Sequence, residues 1–319
     1  MRAEFAGKRI AFLGASIVQN GTALDRMRLS LLDTPRAPRL YNRGLGGNRA
    51  IMVEGLFRDE ILSLAPDACF VHYGVNDMGV WLYDAAREVT AAVEAERRER
   101  DEAYRCGIRR TVALLLGAGI RPVLCTPIAV DERLCEVGDI FTVADNEEKG
   151  KRIRDTLYTR ASFSAINRAL KGYRDAVFAI AEERGCEVLD LFSVFHGALM
   201  REGGLYAKDG IHLAERGHTL LAECVLSHIG APGATVSTPL PPPLVALREA
   251  EQLERQIQYV KWAMFHPFYG RDIGDPETGA RAMLAREGLE HHKRLALTAY
   301  LENGRRLDAL RARIEEIYP

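Results

Sequence analysis

Residues 8–16 of the chain read KRIAFLGAS, a short apolar run that ends in a glycine and a serine. The apolar residues Ile10 to Leu13 fit a strand that is buried on both faces, because such a strand shows no alternation with polar residues. The small residues that follow, beginning with Gly14, are typical of a tight turn. We therefore predict Ser16 at the carboxyl end of the first strand, where the loops of a parallel sheet form ligand sites.

The same kind of strand-length apolar run recurs along the chain and alternates with longer amphipathic segments. We predict strands at residues 10–13, 39–42, 68–73, 122–125 and 187–191. Apolar residues at helical spacing fill the gaps, for example at 51–64, 85–118, 163–184 and 213–229. This alternation predicts an α/β fold, in which a central parallel sheet is covered by helices on both faces in a three-layer α/β/α arrangement.

A change in composition near residue 230 predicts a domain boundary. Gly-Ala-Pro-Gly at 230–233 is followed by Pro-Leu-Pro-Pro-Pro at 239–243, and proline-rich segments of this kind form extended spacers. We predict three parts, namely a main domain at 1–230, a linker at 231–243 and a helical extension at 244–319.

The extension carries apolar stripes at helical spacing in two predicted helices, 244–269 and 278–317, with a break at 270–276. A three-layer main domain closes its own core near Ile229, so these stripes must be buried elsewhere. They could fold over the main domain as a lid or pair with a second copy of the chain. We expect a homo-oligomer formed through these helices, because self-association is common among soluble enzymes.

Charge and hydropathy limit the classes of partner. The 319 residues include 43 Lys and Arg against 44 Asp and Glu, so no overall basic field attracts nucleic acid or an anionic membrane. The longest apolar run, 111–120, is far shorter than the roughly 20 residues of a membrane span, and the first residues show no apolar signal core. We expect a cytoplasmic protein that acts on a small molecule, without nucleic-acid or membrane partners. Its six cysteines lack metal-ligand spacing and are expected to be reduced.

Two segments that follow predicted strands contain groups able to bind an anion. Residues 42–48 read NRGLGGN, and a glycine-rich loop of this kind can offer backbone N–H groups at close range. Residues 74–77 read GVND, and the side-chain amide of Asn76 could donate a hydrogen bond to a developing oxyanion. Each segment alone is typical of a turn. The first does not complete a dinucleotide-binding fingerprint, because Arg49 stands where the third glycine is needed.

Residues 209–212 read DGIH and precede a predicted helix. An aspartate three residues before a histidine can accept the hydrogen bond of the ring Nδ1–H, which leaves Nε2 free to face a nucleophile. On its own, this pair could equally be a helix start beside an unrelated surface histidine.

Together, these segments resemble the SGNH hydrolase superfamily, also called GDSL esterases. The segments that carry the likeness are Gly14-Ala15-Ser16, Asn42-x-Gly44-x-x-Gly47, Gly74-x-Asn76-Asp77 and Asp209-x-x-His212. The likeness covers residues 8–230. It implies that the chain has a flavodoxin-like fold and that it hydrolyses esters. One position departs from the family, whose first block is usually Gly-Asp-Ser. Ala15 replaces that aspartate and removes a polar contact near the serine.

The resemblance implies a role for each matching residue. Ser16 would be the nucleophile, His212 its general base, and Asp209 the acid that orients His212. The backbone N–H groups of Ser16 and Gly47, with the side-chain amide of Asn76, would form the oxyanion hole. This chemistry requires neither a metal nor an organic cofactor.

These roles predict a serine esterase that removes a small acyl group, an acetyl group foremost, from a sugar or another metabolite. Attack by the serine would form an acyl-enzyme that water then resolves. Two alternatives remain open. The same acyl-enzyme could pass its acyl group to an alcohol, or the chain could be a non-catalytic binding module on the same fold, which Ala15 mildly favours.

Overall fold

The computed structural model describes residues 1–83, 88–133, 160–231, 233, 239–260, 276–285, 294, 297–298, 300–302 and 307–318. The chain divides into two compact units, Met1–Val236 and Ser237–Pro319.

The first unit is built on a five-stranded sheet. Its strands are β1 Arg9–Gly14, β2 Arg39–Gly44, β3 Ala68–His72, β4 Arg121–Cys125 and β5 Glu187–Leu189. They lie in the order β2-β1-β3-β4-β5, and every pairing is parallel. This is the doubly wound order of the flavodoxin-like fold, in which ligands bind where the strand order reverses, between β1 and β3. The predicted α/β fold is confirmed.

The register of the sheet aligns the loops that follow the first three strands. Gly14 at the end of β1 is paired with Gly44 at the end of β2 and with His72 at the end of β3. Strands β1 and β3 consist largely of the buried apolar residues that the sequence pattern indicates, with β3 buried along its whole length. Strand β2 also buries Asn42 and Arg43, and β5 is only half-buried. The segments that begin with Ala15, Leu45 and Tyr73 therefore leave the same edge of the sheet side by side.

Helices flank the sheet on both faces. In the first unit they are α1 Ser16–Gln19, α2 Thr22–Leu31, α3 Val53–Phe57, α4 Val75–Met78, α5 Ala91–Gly117, α6 Arg160–Arg184, α7 Leu191–Leu199 and α8 Glu215–His228. Helices α2 and α8 pack together over one core, which includes Phe12 of β1 and Phe70 of β3. Helices α5 and α6 also pack against each other. Of the helices that the structure describes, none is both long and apolar enough to cross a bilayer.

Several elements end at residues other than those predicted. The strand predicted at 187–191 stops at Leu189, because Asp190 accepts a hydrogen bond from the N–H of Ser193 and caps α7. The helix predicted from Leu213 begins at Glu215, because Leu213 forms an isolated bridge with Tyr206.

Two predicted helices also differ in their course. The segment predicted as one helix at 51–64 consists of a 3₁₀ turn at Ala50–Met52, α3, and a π-helix at Arg58–Leu62. The helix predicted at 85–118 begins at Ala91, where Thr90 caps the first turn, whereas residues 84–87 lie outside the described residues.

The cysteines of the described ranges form no disulfide with one another. Cys69 and Cys125 are buried in the sheet, Cys106 is exposed, and Cys186 and Cys224 are half-buried. Cys135 lies outside the described residues.

The second unit is helical where the structure describes it. Its helices are α9 Pro242–Tyr259, α10 Pro276–Leu284 and α11 Leu307–Ile317. Helix α9 starts two residues before the predicted position, because proline fits the first turn of a helix, where its missing N–H is not needed. The predicted break lies outside the described residues except for Pro276, which begins α10.

The described helices of the second unit bury apolar and charged groups among themselves. Val260, Ala280, Met283 and Leu297 form an apolar cluster. Helices α9 and α11 are joined by an ion pair in which Arg311 lies 3.0 Å from the fully buried carboxylate of Glu254. This unit therefore has a small core of its own.

Candidate active site

Ser16 is the first residue of the one-turn helix α1, directly beyond the carboxyl end of β1. Its side chain is half-buried, and its Oγ lies 3.0 Å from Nε2 of His212. The structure therefore places the predicted nucleophile and the predicted base within hydrogen-bond distance, although 196 residues separate them. Ala15, which stands where the family usually has an aspartate, accepts the N–H of Gln19 through its carbonyl, and its methyl group offers no hydrogen bond.

The turn at residues 209–212 holds the histidine ring from its other side. One carboxylate oxygen of Asp209 lies 2.6 Å from Nδ1 of His212. Because a carboxylate only accepts hydrogen bonds, the network assigns the ring proton to Nδ1. The lone pair of Nε2 therefore faces Ser16, whose hydroxyl donates to it.

The carboxylate of Asp209 is itself fixed within the turn. Its second oxygen accepts hydrogen bonds from the backbone N–H groups of Ile211, at 2.9 Å, and His212, at 2.8 Å. Burial acts to raise the pKa of Asp209, but the hydrogen bonds from the ring of His212 and from these backbone groups hold it below its ordinary value. Asp209 therefore stays ionised at neutral pH and favours the positive charge that the ring would acquire.

The loop that follows β4 supports this turn from outside. The N–H of Asp131 donates to the carbonyl oxygen of Gly210 at 2.8 Å, and the hydroxyl of Tyr206 donates to the carbonyl oxygen of Ala129. The side-chain amide of Asn167 in α6 bonds both backbone groups of Val130, at 2.8 and 3.0 Å. Sequence reasoning did not find these supports, because they depend on which loops the folded chain brings together.

The loop between β2 and the following 3₁₀ turn presents one unpaired backbone donor. Gly47 has a φ of 74°, which favours glycine, and it is exposed. Among the described residues, its N–H has no hydrogen-bond acceptor, whereas the neighbouring N–H groups do. Gly44 donates to the side chain of Asn42, Leu45 to Gly14, Gly46 to the side chain of Gln19, Asn48 to Leu45, and Ala50 to the side chain of Asp77. The loop is thus held along its length while one donor stays available.

A glycine is also required at the start of this loop. A Cβ atom added to Gly44 would lie 2.2 Å from the backbone nitrogen of Gln19 in α1. Only the absence of a side chain at Gly44 lets the second strand and the helix of Ser16 approach so closely.

Asn76 lies on the one-turn helix α4, just beyond β3, and is half-buried. Its side-chain nitrogen donates to the carbonyl oxygen of Asn48 at 3.1 Å. This bond uses one of the two N–H groups of the amide, so the second remains available to a ligand. It also joins the loop after β3 to the loop that carries Gly47.

The predicted site residues are thus brought together at one edge of the sheet. Ser16, His212 and Asp209 form a continuous chain of hydrogen bonds. Gly47 and Asn76 lie on two adjacent loops that are hydrogen-bonded to each other. Within the described ranges, no three His, Cys, Asp or Glu side chains are grouped as a metal site requires.

The fold and this edge define a class of protein: a three-layer α/β/α hydrolase with a serine after the first strand. The chain belongs to the GDSL-like lipase/acylhydrolase family, whose sequence model matches residues 12–220. It is therefore a carboxylic ester hydrolase, as the resemblance noted in the sequence implied. Among curated protein sequences, none matches the chain.

Solved structures share this architecture at low sequence identity. A gut microbial diltiazem-metabolizing enzyme is 14% identical, with a TM-score of 0.70, and the match covers 100% of this chain and 96% of that enzyme. A catalytic mutant of the acetylxylan esterase Axe2 from Geobacillus stearothermophilus is 18% identical, with a TM-score of 0.52. That match covers 73% of this chain and 98% of the esterase. At these identities the likeness establishes the fold.

Proposed function

We propose that the chain is a serine esterase that hydrolyses a small acyl ester, an acetyl ester of a sugar or another metabolite. The observation that carries the proposal is the hydrogen-bond chain from Asp209 through His212 to Ser16, at 2.6 and 3.0 Å. This arrangement is what a serine hydroxyl needs in order to act as a nucleophile, because an oriented imidazole can accept its proton during attack.

The proposed reaction has two steps. In the first, Oγ of Ser16 attacks the acyl carbon while Nε2 of His212 takes the hydroxyl proton and returns it to the departing alcohol. In the second, His212 takes a proton from water, the water attacks the acyl-enzyme, and Ser16 leaves with that proton. Asp209 keeps its negative charge throughout and stabilises the protonated ring in both steps.

The negative oxygen of each tetrahedral intermediate needs donors that are already in place. The N–H of Gly47 and the second N–H of the Asn76 amide are available for this purpose. The N–H of Ser16 is the third candidate, because the first N–H groups of a helix have no acceptor within that helix. Each donor aimed at the oxyanion is worth about 2.7 to 4 kcal/mol of transition-state stabilisation. We assign these three groups to the oxyanion hole.

The choice of an acetyl ester draws support from the structural relatives. Axe2 is an acetylxylan esterase, and the relative that matches the full length of this chain metabolises diltiazem. Acetylated xylo-oligosaccharides and diltiazem are therefore the first substrates to test, beside p-nitrophenyl esters of increasing acyl length. We expect the acetyl ester to give the highest kcat/KM. A preference for long acyl chains would contradict the proposed substrate class, and acyl transfer to an added alcohol would identify a transferase.

Replacing Asp209 with asparagine is expected to reduce kcat/KM on the order of 1,000-fold or more, because the amide no longer fixes the ring with its proton on Nδ1. Steady-state kinetics with p-nitrophenyl acetate measure this loss. Asp175→Asn, on the exposed face of α6, is the control. An Asp209→Asn variant that keeps wild-type kcat/KM would show that Asp209 does not act on His212.

We also propose that the extension, residues 244–319, pairs with a second copy of the chain. Its helices bury a small apolar cluster, and a lid over the main domain is the alternative use of their remaining apolar residues. A chain truncated after Pro232 is expected to be a monomer by light scattering, with kcat/KM unchanged. A monomer without activity would favour the lid or a shared pocket, and a truncated chain that keeps the full-length oligomeric state would refute the pairing.

A further inference from the structure

Asp77 is a buried carboxylate next to the proposed oxyanion hole, and the reaction described above gives it no role. It directly follows Asn76 on α4, and only 3% of its surface is exposed. One of its oxygens accepts a hydrogen bond from the N–H of Ala50 at 2.7 Å. Among the described residues, its other oxygen is enclosed without a hydrogen-bond partner.

The bond from Ala50 to Asp77 is one of two that join the same pair of loops in opposite directions. The amide of Asn76 donates to the carbonyl of Asn48, and the N–H of Ala50 donates back to Asp77. Gly47 lies one residue before the first of these contacts. The two bonds together fix the segment that presents the free N–H of Gly47 relative to the turn that presents the amide of Asn76.

The ionised carboxylate of Asp77 lowers the stability of the fold, because it is buried. Burial raises the pKa of Asp77 to about 7, although the hydrogen bond from Ala50 and the charge of Arg49 both act to lower it. The unfolded chain loses this proton near the ordinary value of about 3.9, so stability falls as the pH rises from there to about 7. Above that pH the fold retains a buried negative charge that lowers its stability.

Two cations lie close to Asp77: the charge of Arg49 favours its ionised carboxylate, and the guanidinium of Arg100 donates to its backbone carbonyl at 3.2 Å. The other titratable groups that face it are phenols, namely Tyr73 after β3, Tyr104 of α5 and Tyr173 of α6, and burial raises the pKa of each. The ionised carboxylate therefore does not stabilise the fold through its charge, and its hydrogen bond with Ala50 is the contact through which it can act.

We propose that Asp77 is a positioning residue for the oxyanion hole, in which its carboxylate holds the Ala50 end of the glycine-rich loop against the turn that carries Asn76. The proposal rests on the esterase mechanism proposed above. Asp77 touches neither substrate nor reacting atoms; it acts through the placement of Gly47 and Asn76. Its loss should therefore weaken transition-state binding and leave the binding of the resting ester unchanged.

The test compares Asp77→Ala with Asp77→Asn, whose side-chain oxygen can still accept the N–H of Ala50. Activity is expressed per serine labelled by a fluorophosphonate, so that loss of folded protein does not count as loss of kcat. We expect Asp77→Ala to lose about tenfold or more in kcat with KM within about twofold, and Asp77→Asn to keep at least about a third of kcat. An unchanged kcat in Asp77→Ala, or equal losses in both variants, would overturn the proposal.

The same bond can be removed from its donor side if Asp77→Ala does not fold. Ala50 begins a 3₁₀ turn after an extended Arg49, with φ −126° and ψ 155°, a backbone that accepts proline at position 50. Ala50→Pro removes the N–H and should show the same selective loss of kcat. An unchanged kcat would again overturn the proposal.

Two controls separate this inference from the esterase mechanism itself. Asp25→Ala removes a carboxylate of α2 that is also buried, 4% exposed, and should leave kcat per labelled serine unchanged. A wild-type chain that neither hydrolyses esters nor labels at Ser16 would refute the proposed function. A wild-type chain that does both, beside an Asp77→Ala variant of full kcat, would refute only the role of Asp77.

Discussion

Replacing Ser16 with alanine is expected to reduce kcat for ester hydrolysis by about 10⁴-fold or more, while the fold and its thermal stability stay close to those of the wild type. The side chain supplies the atom that attacks the ester, because its Oγ is the hydroxyl that lies 3.0 Å from Nε2 of His212. Removing a half-buried hydroxyl leaves the sheet and its core intact. Steady-state kinetics with p-nitrophenyl acetate and circular dichroism measure the two properties.

His212→Ala should cause a loss of similar size, and the double variant should lose little more than either single variant. The reason is that Ser16 and His212 act in one proton-coupled attack, so that removing either disables both. Ser63→Ala and His196→Ala alter exposed residues of the same types and should keep wild-type kinetics. A Ser16→Ala variant with near-wild-type kcat would refute the mechanism, and additive losses would show that the two side chains act separately.

Replacing Asn76 with alanine is expected to reduce kcat by about 100-fold or more with a much smaller change in KM. The amide is proposed to meet negative charge that exists only in the transition state, so its removal leaves the binding of the resting ester largely unaffected. The variant also loses the bond to the carbonyl of Asn48, which loosens the adjoining loop. Both effects act on the same step of the reaction.

The matched variant for this prediction is Asn76→Asp, which keeps the shape of the side chain and cannot donate when ionised. We expect it to lose at least as much kcat as Asn76→Ala, because a carboxylate would also repel the oxyanion. A rise in KM at constant kcat in either variant would instead make Asn76 a substrate-binding residue. Kinetics over a range of ester concentrations separates these outcomes.

The sequence was sufficient to predict the architecture because the sheet is parallel and buried on both faces. Strands such as β1 and β3 are continuous apolar runs, which is the pattern that burial on both faces produces. The ends of elements were harder to predict, because local contacts decide them. The helix predicted from Leu213 begins two residues later, because Leu213 forms a bridge with Tyr206. The strand predicted to reach Leu191 ends at Leu189, because Asp190 caps the next helix.

In the candidate site, too, local motifs were predictable from the sequence, whereas contacts between distant segments were not. Ser16 and His212 were predicted from the sequence, because each lies in a short motif that contains a nucleophile or a base. The supports of the site are contacts between distant segments, such as the bonds from Ala50 to Asp77 and from Asp131 to Gly210. No periodicity or spacing in one sequence predicts such pairs, because they exist only once the loops at the edge of the sheet have been brought together.

Mass spectrometry after treatment with a fluorophosphonate shows whether Ser16 is the nucleophile, because this reagent forms a covalent bond only with an activated serine. Residues 10–26 form a tryptic peptide with a single serine, Ser16. We expect this peptide to gain the mass of the adduct in the wild-type chain, and His212→Ala to react far more slowly. A folded, ester-hydrolysing wild-type chain in which this peptide stays unmodified, or in which another serine carries the adduct, would contradict this expectation.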